Sequence, residues 1–213
     1  MALDLALNLA LTQKASAAVV DRAVTWMLGT EGAESGWLNR LISRVSNVES
    51  DRNPNLKGWP WKPGNSSWVE PTAQALIALK KSGRKNEQVI ERIRLGEAQL
   101  FDVRCRDAGW NYGSREALKI DLPSYPETTG IALCGLQGHP DLGASLDYAS
   151  REVEKTNSPL GRAWLTIALR LHGARVPVLP SGPPPSDLQI LALEALAAPE
   201  GNFEAFRTAA ESR

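Results

Sequence analysis

The sequence predicts an all-α protein built from helical hairpins, and three observations lead to this fold class. Residues 67–79 match residues 124–136 at a constant offset of 57 positions without a gap, which indicates an internal repeat. Segments that are apolar on every side alternate with segments that are apolar on one side only, as in hairpins stacked in two layers. A glycine follows three of the fully apolar segments, where a helix end favours a left-handed residue; these are Gly83, Gly138 and Gly173.

The helices follow in chain order from the two kinds of segment. A helix that is apolar all round is expected to be buried on every side, whereas a helix with one apolar face is expected to lie outside it. The fully apolar segments predict inner helices at 2–13, 70–82, 127–138 and 160–172. The remaining segments predict outer helices at 15–29, 86–104 and 140–156 and a terminal helical pair at 187–198 and 202–211.

The segment boundaries predict one hairpin-repeat domain over residues 1–176. Residues 177–185 include five prolines and predict a rigid connector. Residues 186–213 are expected to form the terminal helical pair and to pack on the same domain. The loop 32–67 is rich in tryptophan, and loops of that length in compact domains are often functional.

Composition and charge exclude several classes of protein. Lys and Arg together number 24, as do Asp and Glu, and a dedicated nucleic-acid-binding protein would carry a basic excess. Two cysteines do not provide a disulfide framework, and no run of about 18 to 20 apolar residues predicts a transmembrane segment. The apolar stretch 1–11 lacks a leading basic region and predicts a short buried helix, not a secretory signal. We therefore expect a cytoplasmic protein, for which peripheral contact with a membrane stays open.

Tryptophan is unusually frequent, with 7 residues against 3 Phe and 3 Tyr. A Gly-Trp pair precedes each copy of the repeated block, at Trp59 and at Trp110. These two indoles predict either staples between helix ends or parts of an aromatic ligand site. Trp26 and Trp164 fall within predicted helices, and we expect both in the core.

The repeated units carry a resemblance to a known family. Gly-Trp-Pro-Trp at 58–61 precedes Ser-Trp-Val-Glu-Pro-Thr-Ala at 67–73, and Gly-Trp-Asn-Tyr at 109–112 precedes Ser-Tyr-Pro-Glu-Thr-Thr-Gly at 124–130. Over about residues 15–172 these units resemble the prenyltransferase and squalene oxidase repeats of squalene-hopene cyclase-like terpenoid cyclases and protein prenyltransferase β-subunits. The resemblance implies an α/α-toroid, in which inner helices line a central apolar cavity and loops form its mouth. A full toroid has six hairpins and this chain provides four or five, so the implied ring is open, incomplete or closed by another subunit, as in a homo-oligomer.

The catalytic motifs of that family are missing from this sequence. An alkene is a very weak base, and the cyclases protonate it with an Asp-x-Asp-Asp box, which is absent. The prenyltransferases hold zinc with an Asp-x-Cys motif, and the spacing from Asp102 to Cys105 does not match it. We therefore expect no metal and no cofactor. Whether the chain is a terpenoid cyclase-like or prenyltransferase-like enzyme stays open.

Two glutamates occupy equivalent positions at the starts of two predicted inner helices. Glu70 and Glu127 are the candidate catalytic residues, as an acid/base pair or as stabilisers of a cation. The alternative is structural. Ser67 and Ser124 each precede a glutamate by three residues, which is the spacing of a capping box.

Aromatic residues near these glutamates are the candidate ligand-binding residues. Indole and phenol faces are apolar and electron-rich, and they suit an isoprenoid or lipid chain or a cation. The sequence therefore predicts a protein that binds an apolar isoprenoid-type ligand in an aromatic-rimmed cavity; the alternative is a non-enzymatic hairpin-repeat protein that mediates protein–protein contacts. The predicted ligand-binding residues are Trp59, Trp61, Trp68, Trp110, Tyr112 and Tyr125.

Overall fold

The computed structural model describes residues 16–36, 53–113, 116–117, 120–177 and 186–208. These residues form an all-α fold, as the sequence predicts. The helices are α1 (Ala17–Gly29), α2 (Val69–Lys81), α3 (Glu87–Asp102), α4 (Pro126–Gly135), α5 (Gly143–Lys155), α6 (Pro159–Leu171) and α7 (Leu188–Ala197), with 3-10 turns at Ala33–Ser35 and Phe203–Phe206. Two antiparallel pairs of two-residue strands precede α2 and α4: β1 (Trp59–Pro60) with β2 (Ser67–Trp68), and β3 (Glu116–Ala117) with β4 (Ile120–Asp121).

Seven of the predicted helices are confirmed to within a few residues: 15–29, 70–82, 86–104, 127–138, 140–156, 160–172 and 187–198. The predicted helix 2–13 lies outside the described residues, as does most of the proline-rich connector. The predicted terminal helix 202–211 is wrong in its described part, because only a single 3-10 turn forms, at Phe203–Phe206. Its backbone turns there to contact the ends of other helices.

Helices α2, α4 and α6 pack side by side and form an inner row. Their close approach depends on glycines of α4, the middle helix. A β-carbon at Gly130 would lie 2.5 Å from the backbone carbon of Trp164, and one at Gly135 would lie 2.7 Å from the Cα of Ala73. Helix α3 packs on α2, α5 packs on both α4 and α6, and α7 packs on α6. The inner row therefore explains why its segments are rich in small apolar residues.

Trp59 and Trp110 join the outer helices to the inner row through the same pair of hydrogen bonds. The Trp59 backbone N–H donates to Thr72 Oγ1 at 2.9 Å, and its indole Nε1 donates to the Met27 carbonyl at 3.0 Å. Trp110 repeats this with Thr129 Oγ1 at 2.9 Å and the Leu100 carbonyl at 2.7 Å. Each indole thus staples the last turn of an outer helix to the first turn of the following inner helix.

The burial of these two indoles corrects part of the predicted ligand site. Trp59 is 1% exposed and Trp110 is fully buried, so neither presents a ring face to a ligand at the surface. The predicted core position of Trp26 is also wrong, because this side chain is 41% exposed. Helix α1 buries Val20, Ala23, Val24 and Met27 along one face, and Trp26 lies outside that stripe. Trp164 is partly buried and packs against the core, as predicted.

A buried arginine reinforces the first staple. The Arg92 guanidinium lies 3.3 Å from the ring centroid of Trp59 and donates to the carbonyls of Thr30, Lys57 and Gly58. Burial lowers the pKa of Arg92 to about 9, which the charge of Glu31 partly offsets. Arg92 therefore satisfies loop carbonyls that would otherwise be buried without a donor.

The C-terminal segment, residues 203–208, crosses the carboxyl ends of the inner row. Lys81, the last residue of α2, donates to the Ala205 carbonyl. Gln137, just after α4, donates to the Phe206 carbonyl at 2.9 Å and accepts from the Thr208 N–H at 3.2 Å. The Phe206 ring packs edge-on against Trp164 of α6 at 5.2 Å. This end of the inner row is therefore covered by the chain itself.

Candidate ligand-binding site

Three exposed aromatic residues meet at the other end of the inner row, where α2 and α4 begin. Trp68 and Tyr125 are the residues that immediately precede α2 and α4, and both have extended backbones. Tyr112 lies between them, because its carbonyl accepts from the Val69 N–H at 3.1 Å while the Trp110 carbonyl accepts from the Tyr125 N–H at 2.8 Å. Two backbone hydrogen bonds therefore hold the loop that carries Tyr112 against the starts of both helices.

The three rings form a continuous group, which we call the aromatic row (Trp68, Tyr112 and Tyr125). Ring centroids of Trp68 and Tyr112 are 6.3 Å apart, and those of Tyr112 and Tyr125 are 5.2 Å apart. The planes are tilted by 56° and 40°. The side chains are 39%, 48% and 39% exposed in chain order, so each presents ring surface to solvent. The predicted association of these residues is thus present in the fold.

Glu70 and Glu127 lie beside the aromatic row, each as the second residue of its helix. Glu70 Oε1 accepts a hydrogen bond from Gln74 Nε2 at 3.1 Å, and Glu127 lies close enough to the Tyr112 hydroxyl to act on it electrostatically. Both carboxylates lie in a first helical turn, where the helix dipole favours negative charge. In the described residues neither glutamate forms an ion pair with a Lys or Arg.

The pKa shifts at this site reflect burial and negative charge. Burial raises the pKa of Glu70, against the hydrogen bond from Gln74, which lowers it. Burial also raises the pKa of the Tyr112 hydroxyl, and the charges of Glu127 and Glu70 raise it further. Both carboxylates therefore act electrostatically on the middle ring of the row.

The predicted capping boxes do not form. A capping box needs serine as the cap residue, but Trp68 and Tyr125 occupy that position and each serine lies one residue earlier. The Ser67 hydroxyl bonds Glu34 instead, and the Ser124 hydroxyl bonds Asp107 at 2.8 Å and Tyr148 at 2.6 Å. The structure thus replaces the capping role predicted for the two glutamates with separate serine–carboxylate contacts.

Trp61 does not join the aromatic row. It lies in the turn between β1 and β2 and is partly buried. Among the described residues, the ring contacts of Trp68, Tyr112 and Tyr125 are with one another. The predicted set of six aromatic ligand residues therefore divides into an exposed row of three, a buried pair of staples, and Trp61 apart from both.

Two clefts in the described part of the chain lie away from the aromatic row. One of about 440 Å³ lies between α6 and α7, lined by Arg162, Thr166, Arg170 and Glu194 among others. Another of about 410 Å³ lies between α1 and α3, lined by Leu28, Glu91 and Arg92 among others.

Sequence reasoning missed Gln74 as a member of this site. Its Oε1 atom is buried without a hydrogen-bond partner in the described structure, while its Nε2 binds Glu70. The available signal was its position four residues after Glu70, where side chains of a helix meet. No group of three or more His, Cys, Asp and Glu side chains among the described residues could hold a metal ion.

Comparison with known proteins adds no family to this chain: no family model, no curated protein and no solved structure matches it. None of the helices in the described ranges is long and apolar enough to cross a membrane. The resemblance of the Gly-Trp units to terpenoid cyclase-like repeats therefore stays a prediction.

Proposed function

We propose that the chain binds an apolar, isoprenoid-type ligand along the aromatic row, as a repeat protein of the terpenoid cyclase and prenyltransferase kind. The observation that carries the proposal is the contact of three partly exposed rings at the starts of two inner helices. Soluble proteins rarely gather large apolar side chains at the surface without a binding role. Aromatic faces offer a large apolar contact area to such a chain.

The surroundings of the aromatic row favour binding over turnover. The family's acid box is missing from the sequence. Glu70 accepts a hydrogen bond from Gln74, and Glu127 lies near the Tyr112 hydroxyl. A proton donor for an alkene needs an unusually acidic carboxyl group, whereas burial raises the pKa of Glu70. Ligand binding requires only exposed aromatic surface, which Trp68, Tyr112 and Tyr125 provide.

Replacement of Trp68 by Ala tests the proposal, with Trp26→Ala as the matched control. Trp26 is the same residue type with a similar exposed fraction, 41% against 39%, but it lies on the outer helix α1. Removing a ring that a ligand covers costs roughly 1.5–3 kcal/mol of binding, which corresponds to about 10- to 150-fold in Kd. Calorimetric titration with geraniol, a neutral isoprenoid alcohol, is expected to show this loss for Trp68→Ala alone.

Thermal melting of the same two variants separates binding from folding. Both side chains are exposed to a similar fraction, 39% and 41%, and lie outside the buried core, so we expect small and similar changes in the melting temperatures of the two variants. Equal affinity of Trp68→Ala and Trp26→Ala for geraniol would contradict the proposal, as would the absence of binding to the unchanged chain.

A second candidate function, protein–protein contact, is favoured by helix α7. Its sequence is almost entirely apolar, yet Leu188 is 81% exposed and Leu191 is 44% exposed, while Leu193 and Ala197 face the core. A Leu188→Glu, Leu191→Glu double variant tests this face by light scattering. If the unchanged chain forms a homo-oligomer through α7, the variant is expected to be monomeric.

A further inference from the structure

The aromatic row has two acidic neighbours. Glu70 and Glu127 flank it, and their charges act on the hydroxyl of Tyr112 at its centre. Two described loop cations have carboxylate partners elsewhere: Lys57 pairs with Glu31, and Arg106 pairs with Asp121. None of the ion pairs in the described residues neutralises Glu70 or Glu127.

Ring faces and carboxylates attract the same kind of ligand group. The face of an indole or phenol ring carries negative electrostatic potential and binds a cation within about 6 Å of its centroid. Adjacent centroids of the row are 6.3 Å and 5.2 Å apart, so one cationic group can contact two neighbouring rings at once. The charge of Glu127 acts on the hydroxyl of Tyr112, so a carboxylate lies near the central ring of the row.

We propose that the aromatic row, with Glu70 and Glu127, binds the alkylated ammonium head of a small organic cation that also carries an apolar chain. The inference rests on the proposed function, because it assigns the head group of the same ligand. An alkylated ammonium fits better than a primary one, since its methyl groups pack against rings and it leaves no N–H donors unsatisfied.

Anionic head groups are disfavoured by the same features. A phosphate or diphosphate at the row would face two carboxylates and three electron-rich ring faces, and like charges repel at this range. A phosphate site would instead show guanidinium or ammonium groups arranged to meet its oxygens. The described surroundings of the row hold carboxylates in their place.

Three probes with one apolar chain and different heads test the inference: geranyltrimethylammonium, geraniol and geranyl phosphate. We expect the cation to bind about tenfold more tightly than geraniol, and the phosphate to bind most weakly. The preference should shrink as salt rises from low to physiological concentration, because exposed charges are screened. Isothermal titration of the full chain measures all three.

The Glu127→Gln variant locates the preference at the row. Glutamine has nearly the size of glutamate but carries no charge, so the ratio of cation affinity to geraniol affinity should fall in this variant. Glu87→Gln is the matched control, because Glu87 also lies in the first turn of a helix but on the outer helix α3. Thermal melting shows whether each variant is folded.

The outcomes separate the two proposals. Equal binding of the cation and geraniol, or tighter binding of the phosphate, would overturn the cationic head while leaving the apolar site intact. Full cation preference in both Glu127→Gln and Glu70→Gln would also overturn it, since the charge would then lie elsewhere. Failure of all three probes to bind would remove the proposed function and this inference with it.

Discussion

The two repeat units of this chain share the hydrogen bonds of their tryptophans and serines, and they differ in the neighbours of their matched glutamates. In both, a tryptophan N–H donates to a threonine of the next inner helix, and the indole donates to a carbonyl near the end of an outer helix. In both, a serine hydroxyl binds an acidic side chain. The matched glutamates have different neighbours, since Glu70 accepts a hydrogen bond from Gln74 whereas Glu127 acts on the Tyr112 hydroxyl through its charge.

This difference separates structural repetition from the candidate site. Matching serines, threonines and tryptophans make matching contacts, so their repetition follows from the need to join one hairpin to the next. Glu70 and Glu127 share a position and a charge but no common partner. Their repetition is therefore not accounted for by a shared packing contact, and it coincides with the aromatic row.

The largest expected effect comes from removing a staple. Trp59→Ala and Trp110→Ala should each lower the free energy of unfolding by roughly 3–5 kcal/mol, because a large buried side chain is lost together with two hydrogen bonds. We expect the greater loss for Trp59, which also carries the Arg92 guanidinium. Chemical denaturation measures both, with Trp26→Ala as the exposed control, expected within about 0.5 kcal/mol of the unchanged protein.

Equal stability of all three tryptophan variants would contradict the structural role that the two repeat units share. It would mean that the repeated indoles do not join the hairpins. A large loss for Trp110→Ala alone would instead show that the buried arginine, rather than the indole, supports the first unit.

The two units also differ in the glycines of the inner row. Gly130 and Gly135 of α4 occupy the positions that Ala73 and Ala78 occupy in α2. Helix α4 has an inner helix on both sides among the described elements, and a β-carbon at Gly130 would lie 2.5 Å from the Trp164 backbone. Gly130→Ala should therefore cost roughly 1–3 kcal/mol.

Gly143→Ala provides the matched control for this second prediction. Gly143 begins the outer helix α5, and a β-carbon there would meet nothing within 4 Å. Alanine favours helix over glycine by about 0.8–1.0 kcal/mol in a helix interior, so at this helix start the control should be neutral or slightly stabilising. A neutral Gly130→Ala, measured by denaturation alongside Gly143→Ala, would show that the inner helices can separate without cost.

Sequence patterns predicted the described helices, except the terminal one, but they did not predict the side-chain contacts at the helix starts. The alternation of fully apolar and one-sided segments places α2, α4 and α6 inside, because burial on every side leaves a clear composition. The serine spacing predicted capping boxes, but Ser67 binds Glu34 and Ser124 binds Asp107, partners 33 and 17 residues away. A local spacing rule cannot anticipate a partner that only the tertiary fold brings near.

The sequence predicted the members of the candidate site, but it did not settle which of the aromatic residues are exposed and which are buried. The repeated block pointed to Trp68 and Tyr125, and the Gly-Trp unit pointed to Tyr112. Trp59 and Trp68 are paired with each other across β1 and β2, yet Trp59 is buried and Trp68 is partly exposed. Trp59 is buried because its indole donates to the Met27 carbonyl of α1 and lies against the Arg92 guanidinium of α3, contacts that only the tertiary fold supplies.

The smallest expected effect concerns the charge of Glu70, and it tests whether the carboxylate is kept at a cost in stability. Burial raises the pKa of Glu70, so between its unfolded value of 4.5 and its higher folded value the native state binds more protons than the unfolded state. The contribution of Glu70 to stability is therefore complete below pH 4.5 and is lost as pH rises through the folded pKa. Glu70→Gln removes this loss, so the stability of the variant relative to the unchanged protein should improve from pH 4 to pH 7.

Urea denaturation of both proteins at several pH values measures the trend. The change in free energy of unfolding with pH is compared between the two proteins, so any pH-independent effect of the amide cancels. A relative stability that stays flat or declines with pH would show that the folded protein bears no penalty for the Glu70 charge. The contrast between the two glutamates would then rest on their different neighbours alone.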